Sequence, residues 1–429
     1  MSEASEKVRG LLDHLGIRKA HFALHGFELG WPELVRSLED RIAGLALVIH
    51  ADNPNVSVLA PLASRVIAIA GEQRAQAVEE MYQRLAALPI GRLVALKAYT
   101  IHPWSDVAKE PAFASELASF FKGLGGADGA VAPTSGEHDG LTYRIEGSGP
   151  PLVLFPLSLA ASQWEPALPA LQQQFTTIVL GGPYIGAVAN LEFRASGSYM
   201  RTVRNLLIEL GIEPGQSVLE VGCGSGALVR YVAKQHPDVA ITALDVNRYL
   251  LGEAAALAER DGVGDRITFR EGDACALPFP DGSFDRVFSS TVMEEVDADK
   301  MMAELVRVTK PGGRVGVQTR SVDRPRWVNI SVPPELRAKV DYISGSVVHG
   351  GCADASLYER FPRAGLRDVQ AIPQVAVDER TTPSAVEQAL ASRLNEDERR
   401  QFSEALQQAV KTGTFFVAAT FHAAVGTKP

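Results

Sequence analysis

Apolar and polar positions follow two different periods along the chain, and the switches between them predict an α/β protein. Short apolar runs at residues 21–24, 44–49, 65–70 and 93–99 read as strands. Between them, 33–40, 73–88 and 112–121 carry apolar side chains at helical spacing. Strands alternating with helices predict a parallel sheet covered by helices. The pattern then breaks at 122–140, KGLGGADGAVAPTSGEHDG, whose small side chains bury too little to offset the backbone entropy of ordering it. This stretch predicts a linker. Strand patterns resume at 142–146 and 152–155, followed by a helical pattern at 164–173 and a strand at 176–180. From about Tyr199 a second α/β series runs to the C-terminus, with no fixed-period repeat. The expected organisation is a first domain made of residues 1–121 and 141–190 around the 122–140 linker, and a second domain at 195–429.

Composition narrows the function classes. At 429 residues, with 46% hydrophobic and 22% charged side chains, the chain can bury two or three cores, which excludes wholesale disorder. A net charge of −9 argues against a protein built to grip phosphate backbones, and no basic patch with interleaved aromatics appears, so nucleic acid is disfavoured as a partner. Cys223, Cys275 and Cys352 are odd in number and include no CxxC pair, which points away from disulfides or a metal site and towards a reducing cytoplasm. The N-terminus lacks the apolar core of a secretory signal, and no apolar run approaches the roughly 18–20 residues of a membrane span.

The chemistry concentrates after residue 216. QSVLEVGCGSG is a buried-strand run closed by a glycine loop, and 227–234 then has helical spacing. Gly222, Gly224 and Gly226 let a ligand approach the backbone, beside the unpaired N–H groups that open a helix. Gly222, Gly224 and Ala227 also satisfy the relaxed dinucleotide pattern, so a nicotinamide cofactor stays open on the loop alone. The next strand, 240–244, ends at Asp245, placed to accept from ribose hydroxyls. A third, 267–270, leads to Glu271-Gly272-Asp273-Ala274. LPFPDGSFD, a strand at 286–289 and RVTKPGG follow, with a further strand at 314–319.

This ordered set resembles the class I S-adenosylmethionine-dependent methyltransferases, in the branch that includes the ubiquinone/menaquinone C-methyltransferases. The resemblance covers about residues 199–422 and implies a Rossmann-like seven-stranded α/β domain binding S-adenosylmethionine. It implies that the three glycines pass under the methionine portion, with Glu220 holding that end. Asp245 would take the ribose hydroxyls, Val246 would flank the adenine, Asp273 and Ala274 would meet its amino edge, and Ser289 would lie beside the sulfonium. Where many relatives carry a histidine after the fourth strand, this chain has Glu295, which either deprotonates a substrate, holds a substrate cation or is a helix N-terminal acid. His349 and Tyr342, in an insertion at 321–351, complete the candidate catalytic set. Cys223 reads as a packing residue. Arg320, Arg324 and Arg326 either neutralise an acidic substrate or sit in a solvated loop.

The first half resembles an α/β-hydrolase in swapped order. Residues 142–186 look like the opening of that fold, 7–50 its middle and 92–121 its end, with His102 at the triad-histidine position. Gly26 stands where a nucleophile elbow needs serine, so a hydrolase-like domain without hydrolase activity is expected. The leading function is therefore methyl transfer to a small organic metabolite, in secondary metabolism, by a protein able to form a homodimer. A cofactor-binding protein that does not methylate is the alternative. An active hydrolase and an oxidoreductase rank behind.

Overall fold

The computed structural model describes residues 3–25, 31–49, 56–97, 99, 107–129, 131–341, 347–378, 381–390 and 393–429. The chain divides into two units, residues 1–191 and 192–429.

In the first unit, eight strands form one sheet: β1 (Ala20–His25), β2 (Ile42–Val48), β3 (Val66–Gly71), β4 (Arg92–Leu96), β5 (Thr134–His138), β6 (Leu141–Gly147), β7 (Pro151–Leu154) and β8 (Thr176–Gly181). Their order is β4-β3-β2-β1-β7-β8-β6-β5. All neighbours run parallel except where β6 meets β8 and β5. Alternate residues feed cores on opposite faces: Phe22, Leu45 and Leu47 on one side, Ala23, Ala46 and Val48 on the other. Burial on both faces explains why these strands are near-continuous apolar runs. Two expectations change. The stretch expected to be a linker contributes β5, an exposed edge strand held by β6, and the helix expected at 164–173 is reduced to a 3-10 turn, Ala161–Trp164, and the short helix Leu168–Leu171. Pro169 lacks the N–H a longer helix would need.

The second unit is an open, mostly parallel α/β sheet of nine strands: β9 (Ser217–Val221), β10 (Ala240–Asp245), β11 (Ile267–Glu271), β12 (Phe284–Ser290), β13 (Thr309–Arg320), β14 (Trp327–Val328), β15 (Arg367–Ala371), β16 (Gln374–Val377) and β17 (Val417–Thr427). Seven were expected. The difference lies at β17, whose eleven residues run antiparallel to β13 and β14 along one edge and to β16 and β15 along the other. From β9 the chain winds outward through β10 to β11, then returns to place β12 on the other side of β9 and continues to β13. The connections therefore diverge between β9 and β12, the point at which open α/β sheets bind ligands in a crevice outside the carboxyl ends. Among the described residues no helix is long and apolar enough to cross a membrane.

The two longer motifs hold this sheet together by binding each other. Asp285, which closes LPFPDGSFD, accepts from Lys310 of KPGG (2.8 Å) and from the Ser217 backbone (2.9 Å) and hydroxyl (2.6 Å) at the start of β9. Arg307 of RVTKPGG pairs with Asp281 (2.8 Å) and Glu304 (2.7 Å), and donates to the Phe279 and Leu277 carbonyls. Burial alone would raise the Asp285 carboxyl, but the donors from Lys310 and Ser217 outweigh it and hold its pKa at about 2. A pKa below the unfolded value stabilises the fold above about pH 4, and that contribution is lost as pH falls through about 2. Asp285→Asn is expected to lower stability at pH 7 by about 1.5–3 kcal/mol, the scale of hydrogen bonds to a charged group. In thermal unfolding across pH 7 to pH 2, the gap from wild type should narrow below pH 4; a gap that does not change with pH would contradict the assignment.

Candidate functional site

At the crevice, β9 ends in the loop Gly222-Cys223-Gly224-Ser225-Gly226, which leads into the helix Ala227–Gln235. The Gly222 and Cys223 N–H groups both donate to the Leu244 carbonyl (2.7 and 3.0 Å), tying the loop to the end of β10. Gly222, Gly224 and Gly226 have φ of +79°, +54° and +72°, which favours glycine. Packing adds a second reason at two of them. A Cβ on Gly222 would overlap the Val292 side chain, and one on Gly226 would press on Ala254. Ser225 and Arg230 both donate to Glu192 (2.6 and 2.5 Å), so a residue far upstream clamps the loop and its helix.

Two carboxylates stand beside this loop with little solvent. Asp245 is 8% exposed; its oxygens accept from the Gly224 N–H and the Asn247 N–H, each at 2.8 Å. Glu220 is 1% exposed, and its Oε2 has no hydrogen-bond partner. Burial pushes the Glu220 carboxyl well above the usual range, the Asp245 charge adds to this, and a Val229 backbone hydrogen bond offsets part. Burial also raises Asp245, against the backbone donors from Asn247, Gly224 and Val246. The same burial and acids push the Cys223 thiol up, which suits a packing residue and not a nucleophile.

The remaining expected cofactor contacts distribute around the rim. Val246 is exposed, Ala274 is buried, and Asp273 is exposed with Oδ1 accepting from the Cys275 N–H (2.8 Å). Ser289 is fully buried and its hydroxyl donates to the Val221 carbonyl (2.7 Å) at the end of β9. Strand alternation gives the adjacent Ser290 the other face. Its hydroxyl bonds Tyr199 (2.7 Å) and accepts from Gln318 (3.2 Å), which accepts in turn from Gln374 (3.2 Å).

Two of the three expected catalytic residues fall within the described residues, Glu295 and His349. Glu295 is half-exposed and pairs with Arg320 (2.8 Å). The loop carrying His349 runs alongside, since Val348 donates to the Glu294 carbonyl (3.0 Å), but the His349 side chain is exposed. Tyr342 lies outside the described residues, as do Gly26 and His102. The more constrained acid is Glu294, fully buried, with Oε1 on the Arg320 Nε (2.9 Å) and Oε2 unpartnered; burial raises its pKa against the pull of Arg320. Sequence alone does not separate these adjacent glutamates, because one residue decides which faces inward. His422 is likewise buried and held, between Asp323 (2.8 Å) and Tyr358 (3.1 Å).

Beyond the ends of β13, β16 and β17 lies a cavity of about 250 Å³. Phe193, Tyr199 and Phe421 give it apolar walls, and Arg194, Arg320, Arg324 and Arg326 give it cations.

A methyltransferase-domain family model matches residues 218–313, from β9 through KPGG. The chain is 39% identical over 109 residues to the sterol 24-C-methyltransferase ERG6B of Gibberella zeae, covering 25% of this chain and 28% of that protein. It is 30% identical over 153 residues to methyltransferase GfsG of Streptomyces halstedii, covering 35% and 50%. The chain thus spans half or less of the length of these curated relatives. Among solved structures it is similar to a geranyl diphosphate C-methyltransferase from Streptomyces coelicolor A3(2), at 14% identity over 54% of this chain and 79% of that one, with a TM-score of 0.32.

The buried acids have a measurable cost. A carboxyl whose folded pKa lies above its unfolded value holds its proton longer in the folded state, so stability falls as pH rises through that interval. Glu220→Gln removes this charge and should raise the melting temperature of the ligand-free protein at pH 7 by about 2–4 °C, equivalent to about 1 kcal/mol in a unit of this size. At pH 4, where the wild-type group is protonated, scanning fluorimetry should find the two proteins alike.

Proposed function

We propose that the second unit is an S-adenosylmethionine-dependent methyltransferase acting on a small organic metabolite. The observation that carries this reading is the buried Glu220 carboxylate beside Asp245, one of whose oxygens has no hydrogen-bond partner, at a glycine loop inside the stretch that matches the methyltransferase family. Such a pair is costly in the free protein and is relieved by a ligand offering a cation and hydroxyl donors. S-adenosylmethionine offers an α-ammonium, two ribose hydroxyls and, on its sulfonium, the methyl group to be transferred. Glu220 would face the methionine end. Asp245, already oriented by two backbone N–H groups, would accept from the ribose with its remaining lone pairs. Val246 would flank the adenine, with Asp273 and Ala274 at its edge. Because charge is consumed on methyl transfer, the chain's contribution is to align the acceptor and exclude water. The buried bonds joining Tyr199, Ser290 and Gln318 suit a rigid wall for that purpose.

The similarity to sterol and other methyltransferases favours a small organic acceptor over a macromolecule. A finer placement near the quinone C-methyltransferases rests on Glu220, LPFPDGSFD and RVTKPGG, two of which are structural fasteners in this fold. The three free cysteines suit a reducing compartment such as the cytoplasm. Calorimetry is expected to detect S-adenosylhomocysteine binding, weakened at least about tenfold by Asp245→Asn. With methyl-labelled donor and a metabolite extract, label should enter a small product. Absence of binding would overturn the reading, and binding without transfer would favour a cofactor-binding protein that does not methylate.

For the first unit we propose a hydrolase-like sheet in permuted order, without a catalytic triad. The support is the seam between β1 and β7, which joins the block β1–β4 to the later block β5–β8 in the middle of one sheet, as a swap of two halves requires. With Gly26 at the serine position, a fluorophosphonate probe should leave the protein unlabelled. Stoichiometric labelling would show that a nucleophile exists elsewhere.

A further inference from the structure

The arginine-lined cavity carries an inference that rests on the methyltransferase reading and deepens it. We infer that this cavity receives the methyl acceptor and selects one with a small apolar body bearing an oxyanion, a carboxylate or a phosphate, held by Arg194 and Arg324.

Position comes first. Tyr199 lines the cavity and its hydroxyl bonds Ser290, the last residue of β12. Arg194, also lining it, donates to Thr291 (3.1 Å), whose φ of +59° turns the chain sharply at the strand end. The next residue, Val292, is the one that occupies the space beside Gly222. One continuous stretch, Ser290-Thr291-Val292, therefore has the cavity on one side and the glycine loop on the other.

Charge comes second. Four arginines reach the cavity, but they are not equivalent. Arg320 is held by Glu294 (2.9 Å) and Glu295 (2.8 Å), and Arg326 by Asp378 (2.9 Å). Arg194 has no carboxylate within ion-pair distance among the described residues. Its guanidinium lies over the Tyr199 ring at 4.3 Å, which positions the cation without neutralising it. Arg324 touches Asp323 only at 4.0 Å, and that carboxylate already accepts from His422 (2.8 Å) and Ser321 (2.7 Å). Two cations thus remain without a close counter-charge at a concave surface, and planar guanidinium donors match carboxylate and phosphate oxygens. Size comes third. About 250 Å³ is below the ~300–1,000 Å³ of pockets for drug-sized ligands, so the acceptor is compact.

The test uses three matched probes, 2-naphthoate, 2-naphthyl phosphate and 2-naphthalenemethanol, titrated by calorimetry into the full chain with and without S-adenosylhomocysteine. At least one anion is expected to bind about tenfold or more tightly than the alcohol, and the tighter anion tells carboxylate from phosphate. Arg194→Gln and Arg324→Gln should each remove most of that preference while leaving alcohol binding unchanged. Unaltered melting temperatures report that both variants fold; if Arg194→Gln does not, Arg324→Gln, at the exposed rim, decides alone. Equal binding of the alcohol and both anions, or an anion preference that survives both substitutions, overturns the proposal. If the wild type prefers the anions yet ignores S-adenosylhomocysteine, the cavity assignment stands and the methyltransferase reading falls.

Discussion

A carboxylate with one oxygen left unpaired, closed off from water at the centre of a sheet, is the constraint around which the second unit is arranged. Glu220 interrupts an otherwise apolar strand, between Leu219 and Val221, both fully buried. A neutral residue there would pack with less strain on the electrostatics, and Asp245 nearby makes the cost larger. Sheet topology explains how the fold tolerates it. The connections diverge between β9 and β12, and open α/β sheets bind ligands outside the carboxyl ends at such a point. Backbone N–H groups from the glycine loop and from Asn247 already orient Asp245, which leaves the Glu220 Oε2 as the unsatisfied oxygen of the pair.

Such an opening needs a stiff frame, and the frame is what the longer motifs supply. LPFPDGSFD and RVTKPGG lie far apart in the chain, yet Asp285 meets Lys310, and Arg307 meets Asp281 along with two carbonyls of the same loop. These bonds fix the segment between β11 and β12, and Asp285 also fastens the start of β9 through Ser217. Motifs that carry no catalytic group thus have a physical role, because they set the height at which β9 and β12 end and so where the crevice opens. Glu192 performs a similar service from the other side by gripping Ser225 and Arg230. No local pattern distinguishes such an acid from a solvated helix residue.

Legibility follows the range of the interactions. Buried parallel strands such as β2, β3 and β9 announce themselves, since burial on both faces demands unbroken apolar runs. Glycines and acids at strand ends are readable because a turn and a carboxylate must each fall at a fixed distance along the chain. What does not show depends on one-residue phase or on distant partners. Ser289 and Ser290 differ only by strand alternation, and Glu294 and Glu295 only by the turn of a loop; each time the side chain with the telling contacts belongs to the neighbour of the residue that sequence favours. β5 reads as linker because an edge strand with exposed side chains carries little apolar signal, and its pairing with β6 is made by backbone.

The fate of the acids bears on mechanism. Glu295 stands where a base was expected, and Glu294 and Asp378 stand near the same cavity, yet each of the three is bound to an arginine. The geometry thus commits these acids to holding Arg320 and Arg326 in place. The cations left over, Arg194 and Arg324, suit an acceptor that arrives with its own negative charge. In the proposed reaction, an acceptor anchored in this way through an oxyanion would have its reacting atom directed by position alone at an electrophile that is already cationic. The second unit would then rely on placement, on a dry wall at Tyr199 and Ser290, and on charge held in fixed pairs.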